Sequence, residues 1–394
     1  MRIARNYLGR EIYQSSAMVT TALLGLFAFF ALIDDLDKVS DTFGLGALLY
    51  LEVLAIPTRL YDLLPIGLLI GSILALASLA QRNELTILRV SGVSGMRLLA
   101  TLWLIVVPIM AGALVLSEWL TPLSEIKSGE ANLTLRGKSG GARMSSGYWF
   151  KEPTPNGGTR ILNINSLQSG GSVSDVTLYE FDDGQELIAM STAPEGHFRD
   201  ETLVLDNVTT NRLKPQALGM LADPEARHPA EPLMQVERQP ERTLDTTLTP
   251  ARLLARVLTP ERMSLTTLLD YIDYLNDNQI QADRQIVAMW RKLAYPFTLL
   301  VMMTIAAPIG FMQTRRGGVA AKVFIGILLG VGFFMLNQLA LNVGMLGRWP
   351  AWVTALMPSL GALVLALGTL LYMEYRHAVS RIMQHRWPWR KSPA

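Results

Sequence analysis

The sequence predicts an α-helical polytopic membrane protein, six transmembrane helices with an inserted all-β domain, and three observations predict it. Of 394 residues, 50% are hydrophobic and only 17% are charged, with a net charge of +2; that balance disfavours a soluble two-domain enzyme, and the clustering of the apolar residues decides the matter. Six stretches, 12–33, 63–81, 98–117, 293–314, 323–347 and 349–373, contain no Asp, Glu, Lys or Arg. Each is long enough to cross a bilayer, which takes roughly 20 helical residues at about 1.5 Å rise. Between the third and fourth stretches the leucine-rich composition gives way to Gly, Pro, Ser, Thr and charge over an insert long enough to bury a core of its own.

The amino-terminal segment carries Arg2, Arg5 and Arg10 ahead of the first apolar run. That run is longer than the ~7–15 residues of a signal-peptide core, so a retained span is expected. The loop after span two holds Arg82, Arg89 and Arg97; the loop after span four holds Arg315, Arg316 and Lys322; the tail adds Arg376, Arg381, Arg386, Arg390 and Lys391. If every span crosses, all four basic segments share one side, which the positive-inside rule makes cytoplasmic. The acidic loop with Asp34, Asp35, Asp37 and Asp41, the insert and the Arg348 turn then face outward.

Within the spans, Gly67 with Gly71 and Gly326 with Gly330 have the four-residue spacing that lets helices approach closely, and intramolecular packing explains them. Pro65, Pro108, Pro296, Pro308 and Pro358 are expected to kink or break helices. Asn337, Gln338 and Asn342 are the main polar intrusions, and no span has a charge at its centre. Ion-coupled transport ordinarily needs buried ionisable groups; the energy must come from elsewhere.

The domains divide as 1–117 (spans one to three, with a cytoplasmic helix at about 81–92), 118–285 (the insert), 286–376 (spans four to six) and 377–394 (a basic tail). The insert begins as a helical continuation from Glu118 to about Leu135. It then shows short β-rich runs at 148–151, 160–164, 173–181, 186–190 and 202–208, separated by turn residues. Such a pattern argues a sandwich, jelly roll or related antiparallel sheet. The stretch 215–240, with five prolines, reads as an exposed loop or irregular edge. Leu265, Leu268, Leu269, Ile272 and Leu275 have helical spacing behind Ser264, a cap, and a second helix from Ala282 leads back into the membrane.

Catalytic motifs are weak. Gly137-Lys138-Ser139-Gly140-Gly141 has the letters of a nucleophile elbow but polar, glycine-rich flanks in place of strand and helix. The same Gly-Lys-Ser lacks a phosphate loop's first glycine, since Asn132 stands there. His197, His228, His377 and His385 are scattered without metal-ligand spacing, and with no cysteine there is no thiolate chemistry. No catalytic residue, no metal site and no cofactor bound by this chain are expected. The 81–92 segment is more informative: a short cytoplasmic helix carrying Glu84, Leu85, Ile87 and Leu88 and stopping at Gly92 asks for a partner or a lipid surface. With no nucleotide motif on the chain, an ABC-type permease driven by a separate ATPase fits.

Over essentially its whole length the chain resembles the LptF/LptG permeases of the lipopolysaccharide export transporter. The resemblance rests on Ala-Gln-Arg-Asn-Glu-Leu at 80–85 with Ser91-Gly92, Glu118-Trp119 followed by Pro122, Trp149, and Met289-Trp290-Arg291-Lys292-Leu293, in the six-span order. The Glu118-Trp119 and Met289-Trp290 signatures look more like LptG than LptF. The resemblance implies an inner-membrane heterodimer with an LptF-type permease on an LptB-type ATPase dimer, which would bind ATP and Mg, with an LptC-type protein and a periplasmic bridge. The insert would be a periplasmic β-jellyroll that hands on lipid. Glu84 matches the family's coupling-helix acid, with Arg82, Leu85 and Leu88 as neighbouring docking contacts. Lys38 matches a family lysine near the lipid-binding cavity, whereas Ala31, Thr58, Gly129 and Asn132 stand where the family has basic residues; Arg59, Lys127 and Arg136 are the near substitutes for substrate phosphates.

At about 0.8 kcal/mol per buried methylene, drawing acyl chains from a bilayer into water is prohibitive, so the implied cavity must replace the bilayer before closure expels the lipid. Rival readings are a scaffold or mechanotransmitter that carries no lipid, and a membrane hydrolase that would need Ser139.

Overall fold

The computed structural model describes residues 2–37, 39, 43–136, 148–154, 158–167, 172–184, 186–199, 202–213, 234–246, 259–277, 280–311 and 318–386. In chain order the helices are α1 (Arg2–Leu36), α2 (Leu45–Gln81), α3 (Glu84–Val90), α4 (Gly95–Val115), a π-turn (Leu116–Leu120) and α5 (Thr121–Arg136). Six strands follow: β1 (Tyr148–Pro153), β2 (Thr159–Leu167), β3 (Ser172–Phe181), β4 (Leu187–Arg199), β5 (Thr202–Leu213) and β6 (Met234–Asp245). The chain returns through a 3-10 turn (Pro260–Arg262), α6 (Leu265–Asp277), α7 (Asp283–Phe311), α8 (Val319–Leu346) and α9 (Ala351–Arg386). Among the described residues, six helices are long and apolar enough to cross a membrane. The expected class is therefore present: a multi-span helical protein with an all-β unit between its third and fourth spans.

The helices outrun the charge-free windows. α2 begins well before residue 63 because its charges are matched: Arg59 forms a bidentate pair with Glu52 two turns earlier, and Asp62 takes Arg262. Pairing lowers the penalty of carrying charge into a bundle, so a search for uncharged windows misses this half of the helix. Pro57 and Pro65 in α2, Pro108 in α4, Pro296 and Pro308 in α7 and Pro358 in α9 all lie inside their helices.

Leu8 and Ile12 of α1, Leu68 and Leu76 of α2, Leu99 and Leu102 of α4, and Leu299 and Met303 of α7 form the main bundle core. The glycine spacings work as close contacts within the chain. A Cβ on Gly71 would lie 2.3 Å from Cα of Ser16, and one on Gly67 would strike Thr20, so α1 rides directly on the α2 backbone. Gly326 and Gly330 similarly admit Ile73 and Leu69 of α2 against α8.

The six strands pair antiparallel in sequence order, a meander rather than a Greek-key crossing. One transverse row falls out of the ladder: Asp175 of β3, Pro194 of β4, Asn207 of β5 and Pro240 of β6, while pairing resumes in unchanged register on both sides. Asp175 and Asn207 each have φ 53, and the prolines have no N–H to lose there. The register shift of a β-bulge falls elsewhere, between Glu180 and Phe181 of β3, whereas here the ladder is interrupted at one level in these four strands without a change of register. Inward-facing parity flips at this crease: Val173 and Val176, or Leu205 and Val208, are three apart yet both buried in one core with Phe150, Ile164 and Leu178. The sheet also curls. Arg160 of β2 reaches Glu152 of β1 at 3.0 Å and the carbonyl of Asp245 at the end of β6, while Thr246 donates to Glu152 at 2.7 Å. The two edge strands meet at that end.

Of the stretch 215–240, the described part, 234–240, is the start of β6 and takes the edge alternative: β6 is the last strand of the sheet. Pro240 occupies the crease, where no ladder bond is needed, and the charged outward residues suit an edge strand.

Candidate functional site

The loop between α2 and α4 is built by two left-handed residues. Asn83 (φ 60) ends the run from α2 and Gly92 (φ 88) ends α3, so a helix of seven residues is held apart from both neighbours. The amide of Ile87 returns to the Asn83 carbonyl at 3.0 Å, and that of Val93 to Leu88 at 3.3 Å. The Gly92 stop falls where the sequence placed it. The helix itself is shorter than 81–92, because Gln81 still belongs to α2 and the Asn83 turn intervenes.

α3 presents two faces. Leu85 is 4% exposed and packs into the bundle core, and Leu88 lies half-buried beside it. Ile87 and Val90 point out at 62% and 84% exposure. Leu85, expected as a docking contact, is therefore an anchor that fixes α3 to α1 and α2, and the outward apolar residues are Ile87 and Val90. Arg82 is exposed and sits 3.7 Å from Glu11 of α1.

Glu84 lines a cavity of about 200 Å³ together with Ala4, Tyr7 and Leu8 of α1, Leu79 of α2, and Leu85, Ile87 and Leu88. The Tyr7 hydroxyl lies against the Glu84 carboxylate. Oε2 of that carboxylate is buried and accepts no hydrogen bond. A buried acceptor without a partner is unfavourable by about 1–3 kcal/mol, so this arrangement is complementary to a donor brought in from outside. Tyr7 carries no motif and was not foreseen; the signal available was its place one helical turn before Glu11 in the amphipathic start of α1.

Of the residues expected to meet substrate phosphates, the side chains of Arg59, on α2, and Lys127, on α5, are described. Lys38 lies outside the described residues, as does the side chain of Arg136, the last residue of α5. Arg59 is already neutralised by Glu52. Lys127 is exposed on α5, two residues from Glu125, which accepts from Thr58 of α2 at 2.8 Å. The Ser139 loop lies outside the described residues. His197, on β4, faces Asp206 of β5 at 3.3 Å.

A second polar locus lies at the opposite end of α4 and joins two of the sequence signatures. In the π-turn, Thr121 N–H bonds to the Leu116 carbonyl, and Pro122 has no N–H. The Ser117 carbonyl is thereby left without either usual main-chain donor, and Lys292 Nζ of α7 supplies one at 3.1 Å. The same ammonium donates to the Met263 carbonyl and lies 3.3 Å from Glu118 Oε1. Glu118 Oε2 in turn accepts from the amide of Leu265 at 2.8 Å, capping α6 with a negative charge. Beside it Arg262 forms a bidentate pair with Asp62, at 2.8 and 3.1 Å. Burial pulls the Arg262 guanidinium down, but the hydrogen bond to Asp62 and the charges of Asp62, Glu125 and Glu261 outweigh it and leave its pKa raised.

Residues 6–373 match the family model described as lipopolysaccharide export system permease LptF/LptG. The chain belongs to the LptF/LptG permease family. It is similar to the lipopolysaccharide export system permease protein LptG of Escherichia coli strain K12, 25% identical over 369 residues, covering 93% of this chain and 97% of that one. The LptG protein of Haemophilus influenzae is 24% identical over 370 residues, covering 90% and 94%. For an LptF/LptG permease the two loci divide naturally: a short outward helix at the end where α1 begins, and a charged joint where the β unit leaves and re-enters the bundle.

Proposed function

We propose that this chain is the LptG-type subunit of an ATP-driven transporter that extracts lipopolysaccharide from the outer leaflet of the bacterial inner membrane and passes it to a periplasmic bridge. Its partners are an LptF-type permease, an LptB-type ATPase dimer that holds ATP and Mg, and an LptC-type protein. Both termini are cytoplasmic and the β unit is periplasmic, in keeping with the basic segments that flank α1, α3 and the end of α9.

The observation that carries this reading is the unpartnered Glu84 Oε2 beside an apolar cavity, on a short helix whose Ile87 and Val90 face outward. A cationic or N–H donor from the ATPase, set against Glu84, gives a charge-assisted bond of about 1.5–3 kcal/mol. Exposed Ile87 and Val90 then bury apolar area around it. Motion of the ATPase is passed through Leu85 and Leu88 to α1 and α2, whose glycine-mediated contact makes them move as one.

The test is reconstitution of the complete transporter in lipopolysaccharide-containing vesicles, with ATP hydrolysis and release to a soluble acceptor measured together. Glu84→Ala is expected to lower release at least about tenfold, and Glu84→Gln less, because an amide oxygen still accepts. Wild-type release by Glu84→Ala rejects the coupling role. Robust hydrolysis with no release by the wild-type complex favours the mechanotransmitter reading instead.

A further inference from the structure

We propose that Lys292 and Glu118 are positioning residues for lipid transfer: together they form a clasp that makes both stems of the β unit follow spans three and four. The inference rests on the transport reading and adds a residue-level role to two signatures that reading does not use.

Three separate segments converge on one ammonium. Lys292 belongs to α7, the Ser117 carbonyl and Glu118 to the π-turn at the end of α4, and the Met263 carbonyl to the segment that leads into α6. Glu118 stands at the base of α5, the outgoing stem, and its other oxygen holds the first amide of α6, the returning stem. A relative shift of α4 and α7 is therefore felt at once by both stems. Arg262 adds a second hold on the returning segment, from Asp62 of α2.

The chemistry is selective about what can sit at each place. The π-turn and Pro122 create the orphan carbonyl, so the lysine is needed where an ordinary α-helix would need nothing. Lys292 is largely buried, with 9% of its side chain exposed. Water is a poor substitute there, and the ammonium must be matched by Glu118 and by carbonyls. Arg can donate to two carbonyls and a carboxylate, Met can fill the volume without donating, and Gln at 118 can accept from Leu265 without the charge. Those differences separate positioning from mere bulk.

The experiment uses the complete reconstituted transporter and reads the ratio of lipopolysaccharide released to ATP hydrolysed. Lys292→Met is expected to hydrolyse ATP within about twofold of wild type and to release at least about fivefold less lipid per ATP, with Lys292→Arg restoring most of the ratio and Glu118→Gln falling between. A wild-type ratio in Lys292→Met overturns the clasp and leaves the transport reading standing. Equal losses of hydrolysis and release in Lys292→Met and Lys292→Arg show a structural role only, and also overturn it. If Lys292→Met does not assemble, an unchanged ratio in Glu118→Gln overturns the proposal and a lowered one supports it. Hydrolysis without release by the wild type removes the transport reading, and the clasp with it.

Discussion

At the scale of single residues, α3 shows how neighbouring leucine-like positions divide their labour. Leu85 fills the bundle core, whereas Val90 touches little of its own chain. Leu85→Ala is expected to destabilise the chain by about 2–5 kcal/mol, since a buried leucine is replaced by a cavity. Val90→Ser is expected to leave stability within about 0.5 kcal/mol and to weaken retention of the ATPase at least about fivefold, equivalent to roughly 1 kcal/mol. Thermal unfolding in mild detergent and co-purification of the ATPase measure the two separately. Equal effects on both in either variant contradict the division of faces. The sequence placed Glu84 on a short helix, but it did not show which of that helix's apolar residues turn outward. A seven-residue helix has only two turns, so Leu85 and Ile87 cannot be sorted by periodicity without knowing where α1 passes.

At the scale of elements, what could be read in advance was whatever depends on local pattern. The six spans, the Ser264 cap, whose hydroxyl accepts from the Thr267 amide at 3.1 Å, and the first five strands follow from period and turn chemistry. The beginning of α2, the π-turn and β6 did not, because each depends on a distant partner: Arg262 for Asp62, Lys292 for Ser117, and Asn207 opposite Pro240. The crease makes the point quantitatively. A left-handed non-glycine residue is strained by about 1–2 kcal/mol, most for β-branched side chains and least for Asn or Asp. Asn207→Val is therefore expected to lower the opening free energy of β5 by at least about 1 kcal/mol, while Asn207→Gly leaves it within about 0.5 kcal/mol or raises it. Hydrogen exchange of the β5 amides in the intact chain reads this directly. Equal protection in the valine and glycine variants would mean that the row is not strained.

At the scale of the whole molecule, α3 and the clasp sit at opposite ends of α4, and the mechanism needs them on opposite sides of the bilayer. The proposed orientation rests on charge: basic residues crowd the loops at the α3 end, and the β unit lies at the other. The absence of cysteine from the chain makes this testable at single positions without background from this subunit. Val90→Cys, on the outward face of α3, and Glu195→Cys, exposed on β4, report the two sides. In intact spheroplasts a membrane-impermeant thiol reagent is expected to label Glu195→Cys and to spare Val90→Cys until the membrane is opened by detergent. The reverse pattern puts the β unit beside the ATPase, where no lipid could be handed outward. Labelling of both positions before detergent means that both lie on one side, so the span between them does not cross and the six-span count itself falls. In the expected pattern, force applied at Glu84 on one side is carried through the bundle to Glu118 on the other, with α4 joining the two ends directly.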